Sequence, residues 1–228
     1  MKRLSLLLLV FLPALVVGQT AQPARTDVYH VHFATAVPGK AAALADFLKT
    51  TDPKDPMSAH RIVLRHQDGV EWDYVVIQHL GTKTTVDAAG TPTPAAVRDL
   101  GAWHTDTFAS GPSWNEFTKA MGLGDDASKT AGSVYVVSVY RAVPGHRDEL
   151  EKTLGAAPSP QTAGAVLLQH LEGGPWNYLS LARYNSWADF GANEKNSVDD
   201  TNKGSGGWFD IRSHSAFHQD TLAVRVAP

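Results

Sequence analysis

Hydrophobic and polar residues alternate along VYHVHFAT (28–35) and again along VYVVSVYR (134–141), the two-residue period of a half-buried strand. Each run ends in Val-Pro-Gly, which stops a strand. Apolar residues at helical spacing follow, Leu44, Phe47 and Leu48 after the first run and Leu150 and Leu154 after the second. Two more strands are predicted each time, Arg61–His66 with Trp72–Leu80 and Ala165–His170 with Trp176–Tyr184. Their connections, QDGVE and LEGGP, carry the Gly that a hairpin turn needs. The last element, bearing WHTDTF (103–108) or FHQDTL (217–222), is predicted as a helix, with a short closing strand over Thr221–Val226 as the rival reading. Ser113 and Glu116 form a capping-box pattern ahead of a short helix to Met121. The Thr/Gly/Pro-rich stretch 81–94 and the Asn/Gly/Lys-rich stretch 193–207 are predicted as long loops.

The chain therefore writes one β-α-β-β-α pattern twice. Tyr29, Pro38, Gly39 and Leu44 recur as Tyr135, Pro144, Gly145 and Leu150, at an offset of 106. His66, Gly69, Trp72 and Tyr74 recur as His170, Gly173, Trp176 and Tyr178 at an offset of 104, and the His-x-Asp-Thr motif recurs at 114. The drift in offset falls in loops. The expected organisation is a signal peptide over 1–18, a first repeat over 27–121, a linker over 122–132 and a second repeat over 133–228.

The first residues change the picture of where the protein works. Lys2 and Arg3 precede an apolar run, Leu4–Val17, interrupted only by Ser5 and Pro13. That is the pattern of a secretory signal, shorter than the roughly 20 residues of a membrane span. Cleavage is expected after Gly18, with Ala21 or Ala24 as alternatives, leaving an exported, periplasmic or secreted protein with no stable membrane anchor. Loss of Lys2 and Arg3 takes the basic side chains from 20 to 18 against 23 acidic ones, a formal charge of −5. Those basic residues are scattered singly, so no nucleic-acid partner is expected. The chain has no cysteine, which excludes disulfides, thiolate ligands and thiol nucleophiles.

Two β-α-β-β-α units, each with strand, Pro-Gly, helix, hairpin and final element in the same order, resemble the dimeric α+β barrel superfamily with both partners in one chain. That superfamily includes antibiotic-biosynthesis-type monooxygenases, chlorite-dismutase-like haem proteins, polyketide-cyclase-like enzymes and stress-responsive barrel proteins. The resemblance implies an α+β fold, two tandem ferredoxin-like repeats packed sheet to sheet as a single-chain barrel. It implies no particular chemistry.

Alternation assigns faces to the strands. Helices favour an aliphatic surface, so Val75, Ile77, Leu179 and Leu181, with Tyr29, Val31 and Phe33, are expected beneath the helices. Trp72, Tyr74, Trp176 and Tyr178, with His30 and His32, are then expected to face the barrel. The four aromatics, together with His66, His170 and the twinned Arg98 and Arg212, are the candidate ligand-binding residues, suited to a small apolar or aromatic molecule. His30 and His32 stand about 7 Å apart on one strand face and are candidate metal ligands, with His66 or His104 to complete them. His214 and His218, four apart, would share a helix face. His104 and His218 are candidate general bases, since imidazole titrates near neutral pH. On a helix, Asp106 and Asp220 would point away from them.

Three functional readings follow: a binding protein holding a small apolar or aromatic molecule between its halves, a cofactor-independent monooxygenase- or cyclase-like enzyme using His104 or His218, and a haem or metal protein drawing on His30, His32, His66, His104, His170 or His218. A purely structural role is the fourth. No dinucleotide, phosphate-loop, nucleophile-elbow or paired-cysteine motif is present, so the sequence names no cofactor.

Overall fold

The computed structural model describes residues 23–82, 100–204 and 206–228; the expected signal peptide and Arg98 lie outside the described residues. Eight strands close into one antiparallel barrel. They are β1 (Asp27–Ala36), β2 (Arg61–Asp68), β3 (Tyr74–Thr82), β4 (Gly101–Gly111), β5 (Val134–Ala142), β6 (Gly164–Glu172), β7 (Tyr178–Tyr184) and β8 (Ser215–Ala227). Around the barrel the order is β1-β3-β2-β8-β5-β7-β6-β4. Each repeat contributes four adjacent strands, and the halves are stitched edge to edge by β4 with β6 and β2 with β8. Closure leaves no bare sheet edge.

The final element of each repeat is thus a strand, longer than the rival sequence reading allowed. The helical reading of WHTDTF and FHQDTL fails because each half needs a fourth strand to close the barrel, and tertiary pairing overrides the local pattern. β4 pairs with β1 (His32 opposite Asp106, Ala34 opposite His104), and β8 pairs with β5 in the same register (Ser138 opposite Asp220, Tyr140 opposite His218). The stretch 193–207 is also not a loop for most of its length. A helix, α4 (Trp187–Asn202), runs through it, and α5 (Gly207–His214) follows after a short connection.

The expected strand faces are inverted. Tyr29, Val31, Phe33, Val75, Ile77, Leu179 and Leu181 join residues of both halves in one core inside the barrel. Tyr74 and Tyr178 lie outside, under helices α1 (Ala41–Lys49) and α3 (Arg147–Leu154). Inside the barrel a polar side-chain group needs a protein partner, which the Tyr29 and Tyr135 hydroxyls find, and the rest of the interior takes mainly the aliphatic set. The sheet-to-helix layer gives each tyrosine hydroxyl a partner: Tyr74 donates to the Ala41 carbonyl at 2.9 Å and Tyr178 to Glu151 at 2.7 Å. Trp72 and Trp176 do enter the barrel core, because they precede the regular strands and escape their alternation.

One end of the barrel is plugged by the segment joining the halves. The capping box forms as expected, with Ser113 and Glu116 satisfying each other's backbone N–H at the start of α2 (Trp114–Met121). Phe117 and Met121 of α2 are fully buried in the barrel core. The twinned buried tyrosines donate to this segment, Tyr29 to the Pro112 carbonyl at 2.8 Å and Tyr135 to the Met121 carbonyl at 3.0 Å. Burial pushes both hydroxyls up from their ordinary range, so they stay protonated donors. No helix among the described residues is long and apolar enough to cross a membrane.

Candidate functional site

The chemistry-bearing side chains gather on the outer face of the first half. Because β1 and β4 are neighbouring antiparallel strands, alternate residues of both share a face, and His30, His32, His104 and Asp106 come together there. His30 Nε2 donates to Asp106 Oδ1 at 2.7 Å and His32 Nδ1 to the same oxygen at 2.8 Å. His104 Nε2 stands 3.5 Å from Asp106 Oδ2. Hydrogen bonds from His30 and then His32 hold the Asp106 carboxyl far below the usual carboxylate range, so it is an anion. The expectation that Asp106 would point away from His104 is corrected by the strand, whose period of two puts them on one side.

These four residues line a cavity of about 700 Å³ between the sheet and α1. Its apolar wall is Leu44, Phe47 and Leu48 of α1 with Val76 of β3, and Arg61 and Gln78 add polar groups. Space of this size accommodates a multi-ring small molecule. The geometry selects tautomers. With Nδ1–H committed to Asp106, neutral His32 carries its lone pair on Nε2, the arrangement of a general base whose imidazolium would form beside a carboxylate. His30, bound through Nε2, has its lone pair on Nδ1.

The same positions in the second half are built differently. Val136 and Ser138 replace His30 and His32, while Tyr140 replaces Ala34 and stacks on His218 with ring centroids 5.9 Å apart. Tyr140 is buried, and burial pushes its hydroxyl up to about 12. His218 is 19% exposed in its side chain, against 65% for His104, and its Nδ1 is buried without a partner. Asp220 Oδ2 is 3.5 Å from His218 Nε2, so the twinned motif keeps its His–Asp contact in both halves.

The other sequence candidates divide. Trp72 and Trp176 line one shared cavity at the barrel end opposite α2. His66 donates through Nδ1 to the Trp72 carbonyl, and His170 Nε2 accepts from the Gly174 N–H at 3.1 Å; both brace the hairpins that carry the tryptophans. Burial pushes the His170 imidazole down, consistent with a neutral acceptor. Tyr74 and Tyr178 line neither of these two cavities, and Arg212 is exposed on α5. His214 ends α5 while His218 lies in β8, so they share no helix face; His214 Nδ1 instead meets His146 Nδ1 at 3.0 Å. His30 and His32 converge on Asp106, and among the described residues no group of three or more His, Asp or Glu is arranged to hold a metal ion.

Sequence reasoning missed Asp106 as the hub of the cluster. Its signal was the motif itself: WHTDTF read as a strand puts His104 and Asp106 on one face, and pairing with HVH follows. Also missed was a contact between the halves. A Cβ at Gly173 (φ +109°), in the second half's hairpin, would lie 2.4 Å from the Asp106 carbonyl oxygen, and one at its twin Gly69 (φ +126°) would lie 2.7 Å from that of Asp220. Each hairpin thus packs on the backbone of the other half's His-x-Asp-Thr strand. Only glycine fits there.

No family model and no curated protein matches the chain. Solved structures do. An anthrone oxidase-like protein aligns over 92% of this chain and 94% of its own with a TM-score of 0.61 at 13% identity. A candidate monooxygenase from Lactobacillus acidophilus aligns over 88% and 94% with a TM-score of 0.57 at 9% identity. Another, from Fusobacterium nucleatum, aligns over 88% and 93% with a TM-score of 0.53 at 7% identity. At such identities the likeness is one of fold, and it spans both halves: the chain has an α+β barrel fold, with both ferredoxin-like units in a single polypeptide.

Proposed function

We propose that the protein is an exported, cofactor-independent enzyme that deprotonates a small aromatic molecule in the outer cavity of its first half and exposes the resulting carbanion to dioxygen. The observation that carries this reading is the pair of imidazoles, His30 and His32, fixed on the ionised Asp106 at 2.7 and 2.8 Å on the wall of a half-apolar cavity. His32 Nε2 takes the proton, Asp106 stabilises the imidazolium, and Leu44, Phe47 and Leu48 hold the flat apolar body. Likeness in fold to an anthrone oxidase-like protein suggests the substrate class. For anthrone, one dioxygen is consumed, one oxygen atom enters the ring carbon as a carbonyl and the other leaves as water with the two hydrogens lost.

The test is oxygen uptake and quinone formation from anthrone by the mature protein. Wild type is expected to exceed the uncatalysed rate, and His32→Asn to fall by roughly 10²–10⁴-fold, the usual contribution of a positioned base. Equal rates for wild type and His32→Asn would overturn the reading.

A further inference from the structure

The twinned strands also differ inside the barrel. Phe33 of β1 faces Thr105 and packs against Trp72 in a tilted arrangement, with ring centroids 5.4 Å apart. At the same place in the second half stands Val139, opposite Gln219, so Trp176 keeps the His170 imidazole beside it at 5.5 Å, as Trp72 keeps His66, but has no counterpart of Phe33. Deleting most of a phenyl ring on one side of a near-symmetric core leaves a space. It is there: a cavity of about 230 Å³ walled by Phe33, Trp72, Val137, Val139 and Trp176, with half-exposed Trp103 and exposed Gln219 at its rim. Both halves contribute walls, and none of its lining except Trp103 is shared with the histidine cavity.

We infer that this cavity is a second binding site, for a one- or two-ring planar aromatic molecule that takes the place of the missing phenyl ring against Trp176. The size fits: apolar cavities of roughly 150 Å³ suffice for benzene, and drug-sized ligands need at least about 300 Å³. Stacking on an indole face supplies the attraction, and Gln219 and Thr105 at the open side can meet one hydrogen-bonding group of the ligand. A ligand here touches β1 and β4 of one half and β5 and β8 of the other. Its binding would therefore hold the halves together and raise the melting temperature.

The test is titration calorimetry with 2-naphthol on the mature protein and on Val139→Phe, which restores the twin residue and fills the space. Saturable binding to wild type is expected, with one equivalent of it weakened at least tenfold in Val139→Phe, which leaves the histidine cavity untouched, and with Val139→Phe melting at or above the wild-type temperature. Should Val139→Phe fail to fold, Trp176→Leu serves in its place with the same expectation for binding. No saturable binding to wild type, or equal binding to the filled variant, would overturn the inference. Because the readout is binding, it stands or falls separately from turnover at His32.

Discussion

The two halves share a backbone plan and fill it in opposite ways. On the outer face the first half is open, with Ala34 leaving room beside His30, His32 and His104, while the second half places Tyr140 in that position and closes it. Inside the barrel the first half is filled by Phe33 and the second left open by Val139. The repeated unit thus holds two non-equivalent spaces, one outside the sheet of the first half and one inside the barrel beside Val139. What survives in both halves is what the fold needs: the buried tyrosines, the hairpin glycines, the tryptophans and the His–Asp pair on the closing strand.

The comparison can be broken most severely at the open cavity, where His32→Asn is expected to reduce turnover by about 10²–10⁴-fold in a steady-state assay while leaving the melting temperature within a few degrees. Next comes the plug of the closed half. Tyr140→Ala empties a buried position and should cost about 3–5 kcal/mol in urea denaturation without creating a second active site, since Ser138 stands where His32 would. A smaller effect, about 2 kcal/mol, is expected for either Gly69→Ala or Gly173→Ala, both at positive φ and against a carbonyl. The pair separates the halves: only Gly173→Ala presses on Asp106, so only it should also slow turnover.

The smallest effect concerns acid. Asp106 is ionised in the folded state well below its ordinary pKa of 3.8, so its contribution to stability is complete above that value and is lost as pH falls through the lower folded one. The stability gap between wild type and Asp106→Asn should therefore narrow between about pH 4 and 2 in denaturation curves. The carboxylate is partly exposed, and solvent keeps the change small.

The sequence made the duplication legible because landmark residues such as Trp72 and Trp176 recur in order, and duplication of a β-α-β-β-α unit led directly to the barrel. It left the sense of the strand faces undetermined: alternation says which residues go together, but whether Tyr74 and Tyr178 or their aliphatic neighbours face the interior depends on where those hydroxyls find acceptors, here Ala41 and Glu151. The site was half visible. His30, His32 and His104 were singled out by type and spacing, yet their convergence depends on β4 being a strand beside β1, a pairing across about 75 residues that no local pattern encodes. The Val139 cavity follows from comparing the twins position by position once Phe33 and Val139 are known to face inward.

The most direct measurement sets Asp106→Asn beside its twin Asp220→Asn in the same oxygen-uptake assay of the proposed oxidation. The account predicts that Asp106→Asn loses at least a hundredfold in rate, roughly the loss expected when a base loses the group that orients it, while Asp220→Asn stays close to wild type. Equal loss in both variants, or none in either, would contradict an active site confined to the first half.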